Sequence, residues 1–112
     1  MQPEVIKWLE DIRDAATYIV DVTRGQSLSS YSTDRTLRQA VERNFEIIGE
    51  AVNRIGRVDE TVASRFSDRR RIIAFRNVLI HGYDNIEHEV VWMVIQESLP
   101  RLLGEVKALV AD

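Results

Sequence analysis

The stretch LRQAVERNFEIIGEAVNRIG, residues 37–56, decides the fold. Leu37, Val41, Ile48, Ala51 and Ile55 recur at the three-, four- and seven-residue steps of one helical stripe. Ala40, Phe45, Ile47 and Val52 widen that stripe beyond what a single neighbouring helix would cover. The segment is therefore predicted as a helix buried from more than one side, with Gly56 marking its end.

Toward the N-terminus, Pro3 suits the first turn of a helix because its fixed φ is already helical. Val5, Leu9, Ile12, Ala16 and Ile19 form its apolar stripe, and Arg24-Gly25 closes it. QSLSSYSTD, residues 26–34, is a polar connection with several possible N-caps. Toward the C-terminus, residues 57–67 read as a looser connection with a short helical turn starting at Asp59. Asp68 is placed to cap a helix carrying Ile72, Phe75 and Leu79, ending near His81 with Gly82 as its C-terminal glycine. After the turn GYDN, Asp84 or Asn85 is expected to cap a last helix carrying Val91, Ile95, Leu99, Leu102, Val106 and Leu109. Pro100 predicts a kink in it. No segment alternates with period two. The expected architecture is all-α: an antiparallel bundle of four to five helices in a single domain, residues 1–112.

Composition narrows the function. Apolar residues make up 45% and charged residues 29%, the balance of a packed globular chain rather than a disordered one. The net charge of -3 argues against a surface coated with phosphate-binding cations, without excluding a local basic site. The absence of cysteine removes disulfides and thiolate metal sites, and fits a reducing cytosol. The N-terminus lacks the pattern of a secretory signal, and the longest apolar run, VVWMVI, is too short to span a bilayer. A cytoplasmic protein without a membrane partner is expected.

One segment gathers chemistry. FRNVLIHGYD, residues 75–84, places Arg76, Asn77, His81 and Tyr83 around a glycine. The ordinary reading is structural: histidine favours a helix C-terminus, and arginine on an apolar face pairs with a glutamate of a neighbouring helix. The functional reading is specific. Imidazole titrates near neutrality and moves protons, while guanidinium matches phosphate oxygens with a charged fork. Together they suit RNA cleavage by the 2′-hydroxyl, with no metal and no cofactor. Positions five apart on a helix diverge by about 140°. Arg76 and His81 thus do not stack, whereas Asn77 and His81 do. A cleft completed by a second copy of the chain would bring Arg76 and His81 onto one surface.

Other polar residues admit two readings. Arg69, Arg70 and Arg71 open the third long helix, where the dipole disfavours cations. They read either as a solvated face paired with acids or as RNA-phosphate contacts beside Arg76. Asn44 reads as an asparagine satisfied by a backbone carbonyl or as a residue orienting Arg76. His88 reads as a solvated surface residue. His81 and His88 lack a third ligand nearby, so no metal site is expected.

RNVLIHGY fits the R-X4-H-X-Y form of the HEPN motif, with Arg76, His81 and Tyr83 in its three places and Asn77 after the arginine. RNFEIIGEAVNRI and EVVWMVIQESLPRLL resemble the corresponding helices of the HepT group of HEPN proteins, so the resemblance runs from WLEDI to the C-terminus. Relatives in that group often carry proline and tryptophan before the motif helix, where this chain has SRFSDRRR. The resemblance implies a helical homodimer whose motif lines a cleft at the interface. It implies a toxin ribonuclease with Arg76 and His81 as catalytic pair and Asn77 in support. It also implies a nucleotidyltransferase antitoxin of the MntA type that transfers AMP to Tyr83. The competing expectation is a non-catalytic HEPN subunit that scaffolds, or presents substrate to, such a nucleotidyltransferase.

Overall fold

A computed structural model describes residues 1–111. Four long helical stretches carry the architecture. Helix α1 (Pro3–Thr23) buries Val5, Leu9, Ile12, Ala16 and Ile19, the stripe expected of it. The short α2 (Leu28–Thr33) leads into α3 (Arg35–Val58), which buries Val41, Phe45, Ile48, Ala51, Val52 and Ile55. The wide face of α3 is used on two sides, packing against α1 on one and α5 (Arg69–His81) on the other. The last stretch runs from α6 (His88–Met93) to α7 (Leu99–Val110) and returns along α1. Its six predicted core residues, Val91 through Leu109, are all buried. The all-α bundle is observed, with no strand among the described residues.

Several local expectations need correction. The polar segment 26–34 is not merely a connection: Ser27 and Ser30 form a reciprocal capping box that starts α2. Asp34 then caps α3 by accepting from Leu37 N–H. Helix α3 does not stop at Gly56 but runs two residues further to Val58, and the carboxylate of Asp59 then starts α4 (Glu60–Ala63). Neither Asp84 nor Asn85 caps the last helix. Both lie in a 3-10 turn, Tyr83–Asn85, and Glu87 occupies the cap position of α6.

Pro100 acts upstream of itself. Residues Val94–Ser98 form a π turn, in which Leu99 N–H donates to Val94 O. A proline cannot donate to the carbonyl four residues back and crowds it. Widening the preceding turn absorbs that misfit, and Pro100 then sits in the first turn of α7.

Tyr31 on α2 is fully buried, packs on Trp92 at 5.5 Å between ring centroids, and meets the ring of His88 edge-on at 6.5 Å. His88 is thus a half-buried packing residue rather than a solvated one. Among the described residues the Tyr31 hydroxyl has no hydrogen-bond partner, and burial, with nearby Glu42, pushes its pKa up. An unsatisfied buried hydroxyl costs about 1–3 kcal/mol. Tyr31→Phe is therefore expected to leave stability unchanged or raise it by about 1 kcal/mol, read as the midpoint of a denaturant titration. A clear loss would mean that the hydroxyl is satisfied in solution.

Candidate functional site

The candidate residues sit on α5 and the turn after it, and α5 is the least embedded of the long helices. Leu79 is its one buried side chain; Ile72, Ile73 and Phe75 are half-buried. Phe75 meets Phe45 of α3 edge-to-face at 5.2 Å. The N-terminal end is tied down by polar contacts to α7. Asp68 pairs with Arg101 at 2.6 Å and Ser67 N–H donates to Glu105 at 3.1 Å. Asp68 occupies the predicted cap position, but its carboxylate goes to Arg101 rather than to the helix amides.

Close approach of α5 to α3 depends on Gly49. A Cβ at that position would overlap Arg76 Cβ, lie 2.8 Å from Arg76 Cγ and lie 3.3 Å from Ile72 O. Glycine in mid-helix costs about 1 kcal/mol relative to alanine. Here it lets the backbone of α3 meet the root of the arginine side chain.

Arg76 points toward α3. Its Nη2 donates to Glu50 Oε2 at 2.6 Å, across 26 positions of sequence. Its Nη1 donates to Asn77 Oδ1 at 3.0 Å, and its Nε is buried without a partner among the described residues. The Arg76 and Glu50 side chains are 24% and 30% exposed, so the pair is neither a dry core bridge nor a freely solvated one. The other carboxylate oxygen of Glu50 accepts from Arg54 Nε at 2.9 Å. One carboxylate therefore holds two guanidinium groups. Sequence reasoning placed Glu50 in this helix but not against Arg76. The signal that could have found it was a glycine beside a glutamate inside an otherwise apolar stripe.

His81 closes α5 and is exposed, and among the described residues its side chain has no hydrogen-bond partner. Gly82 N–H donates to Val78 O at 2.8 Å and ends the helix. Its φ of −111° is not left-handed, so the expected glycine cap is met by a tight turn instead, with a Cβ position only 3.1 Å from Val78 O. Tyr83 follows at 77% exposure. The fold thus brings Asn77 to Arg76, places His81 and Tyr83 outward at the end of the same helix, and leaves Asn44 elsewhere. Asn44 donates to Ala40 O at 2.8 Å within α3.

Of the arginine triplet, Arg69 is engaged by Glu60 through two bonds of 2.8 Å. That pairing pulls the carboxyl of Glu60 below its ordinary range. Arg70 and Arg71 are exposed. Among the described residues no three histidine, aspartate or glutamate side chains gather to hold a metal ion, and no helix is long and apolar enough to cross a membrane.

An apolar surface adjoins the motif. Val78, Tyr83, Val90 and Met93 are exposed, and a cavity of about 220 Å³ lined by Phe75, Met93, Val94 and Leu102 opens between α3, α5 and the π turn.

The profile of the family described as "HepT-like: Ribonuclease HepT-like" matches residues 12–109. A protein of Thermococcus cleftensis named "Probable ribonuclease HepT" is 31% identical over 102 residues, covering 91% of this chain and 92% of that protein. A protein of Methanocaldococcus jannaschii named "Putative RNase" is 28% identical over 106 residues, covering 93% and 94%. Another of that name, from Caldanaerobacter subterraneus subsp. tengcongensis, is 28% identical over 102 residues, covering 91% and 90%. No solved structure matches.

Proposed function

This chain belongs to the ribonuclease HepT-like family, and from that membership we propose that it is a metal-independent endoribonuclease acting through Arg76 and His81. The observation that carries the reading is the division of labour on α5. A guanidinium is anchored against α3 by Glu50, and an imidazole with no structural partner stands at the open end of the helix. In the reaction His81 takes the proton of an RNA 2′-hydroxyl as the 2′-oxygen attacks the adjacent phosphorus. The 5′-oxygen leaves and receives a proton, and a 2′,3′-cyclic phosphate remains. Arg76 offsets the charge that builds on the phosphoryl oxygens. Asn77 steadies one edge of that guanidinium.

The active form is a homodimer. The outer face of α5 has no covering helix in one chain, and Val78, Tyr83, Val90 and Met93 are the kind of apolar surface that a second copy would bury. Because Arg76 and His81 diverge around the helix, pairing two such faces gives a shared cleft in which arginine and histidine meet one phosphate. The mass in solution is then twice the 12.9 kDa of the chain.

The protein is the toxin of a toxin–antitoxin pair, silenced by an MntA-type nucleotidyltransferase. That enzyme moves AMP from ATP to Tyr83 Oη, with pyrophosphate leaving and the phenol proton lost. Tyr83 is exposed on a turn, where a second enzyme can reach it. The added phosphodiester places negative charge where RNA phosphate would enter. Co-expression with the nucleotidyltransferase should add one AMP to the peptide carrying Tyr83 and abolish cleavage. Tyr83→Phe should remain active and unmodified, and AMP found on another residue would reject the assignment.

A second reading, the non-catalytic scaffold, is favoured by the acidic net charge. Total RNA incubated with unmodified protein in EDTA separates the two. Cleavage supports the enzyme; intact RNA with Tyr83 confirmed bare supports the scaffold.

A further inference from the structure

A groove of about 270 Å³ lies between α1, α3 and α5, on the side where Arg76 meets Glu50. Its walls include Trp8, Glu50, Ala51, Arg54, Arg76 and Ile80. Ile80 is one helical turn from Arg76 on the same face and directly precedes His81. The groove therefore leads from α1 to the residue before the proposed proton carrier.

Its charge is arranged. Asp11 bonds to Lys7, and Glu46 lies 3.7 Å from Arg43, so each rim acid has its own cation. Glu50 is shared between Arg54 and Arg76. Around Glu50 itself two guanidinium groups meet one carboxylate, a local excess of one positive charge, while the charged residues of the whole lining, three arginines and three acids, balance. Arg54 is 52% exposed and bonds to Glu50 through Nε, so its terminal nitrogens make no bond to Glu50. The apolar wall of Trp8, Ala51 and Ile80 lies beside this charge, and Trp8 is half-buried in the α1 surface. A cationic fork next to an aromatic face is what a nucleotide unit of a single strand requires: phosphate on one, base on the other. A paired base would not be free to enter.

We propose that this groove is a nucleotide subsite for single-stranded RNA, in which Arg54 and Arg76, yoked by Glu50, hold one phosphate while Trp8 and Ile80 take the adjoining base. The assignment rests on the ribonuclease reading and adds to it a substrate class and two residues, Arg54 and Trp8, that the motif does not contain. Glu50 is a positioning residue: it sets the two forks side by side.

The test is a titration of His81→Ala protein, which binds without cleaving, with a short unpaired oligouridylate, following tryptophan emission. Binding should quench emission, and Trp8→Phe should remove the quench while Trp92 remains. Arg54→Ala should weaken binding about tenfold and reduce the slope of log affinity against log salt by about 0.7, the loss of one phosphate contact to a single strand. Arg54→Lys should recover part of the affinity. A duplex of the same length should not quench. Unchanged affinity and salt slope in Arg54→Ala, with no Trp8 quench, would overturn the subsite, and cleavage of the same oligonucleotide by the unaltered protein would show that the ribonuclease reading survives. Quenching by free uridine monophosphate at the affinity of the oligonucleotide would reassign the groove to mononucleotides. An unaltered protein that neither binds nor cleaves the strand overturns both.

Discussion

His81→Ala is expected to lower RNA cleavage by at least about a hundredfold, the ordinary contribution of a positioned proton carrier, while leaving the fold untouched. His81 is exposed, its side chain makes no hydrogen bond among the described residues, and it occupies the last position of α5. A histidine near a helix C-terminus contributes about 0.3–1 kcal/mol when charged. Its removal should therefore move the melting temperature by only a few degrees. Arg76→Ala is a less clean test, because it also strips Glu50 of one of two partners and leaves a half-buried carboxylate held by Arg54 alone. The assay is cleavage of a single-stranded substrate in EDTA, with melting recorded on the same samples. Cleavage by His81→Ala at the unaltered rate would remove histidine from the reaction.

Gly49→Ala is expected to destabilise the protein by about 1–3 kcal/mol, the usual cost of overpacking, with a fall in melting temperature on the order of 5–10 °C. The sign is not obvious. In an open helix the substitution gains about 1 kcal/mol from propensity. Here the new methyl would overlap Arg76 Cβ and crowd Ile72 O, which is backbone. Shortening Arg76 does not relieve the first clash, because alanine keeps the Cβ. The helices must separate instead, and Glu50 moves with α3 while Arg76 moves with α5. A misplacement of about 1 Å can cost on the order of a hundredfold in rate, so activity should fall further than stability. Thermal denaturation and cleavage rates measured together check this. A variant as stable as the parent would mean that α5 can slide along α3 without loss.

The bundle was legible because long amphipathic helices announce themselves. The stripes of α1, α3 and the α6–α7 stretch predicted their buried residues almost one for one. The third stripe, Ile72, Phe75 and Leu79, looked equally apolar, yet only Leu79 is buried. Periodicity reports which face is apolar, not how many neighbours cover it. Helix α2 was missed because its single core residue, Tyr31, is embedded in serines, and six residues are too few to show a period. Pro100 announced a disturbance, but whether a helix kinks or widens depends on the packing around it. Within the candidate site, the motif residues could be read along the chain. The partner of Arg76 could not, since Glu50 is distant in sequence and only the crossing of α3 with α5 makes them neighbours.

That α5 sends a single fully buried side chain into the core has a consequence for how such a protein can change over generations. Substitutions on its outer face scarcely touch the packing that keeps the chain folded, so they are not filtered first by stability. Substrate preference, partner choice and even the presence of activity can drift there while α1, α3 and α7 hold the scaffold constant. The segment SRFSDRRR at the head of the helix is not part of that permissive face, since Phe66 is buried and Ser67, Asp68 and Arg69 are bonded to Glu105, Arg101 and Glu60. The crossing at Gly49 is the other exception: it is the point at which the evolvable helix remains fastened to the rigid one, and it carries the arginine.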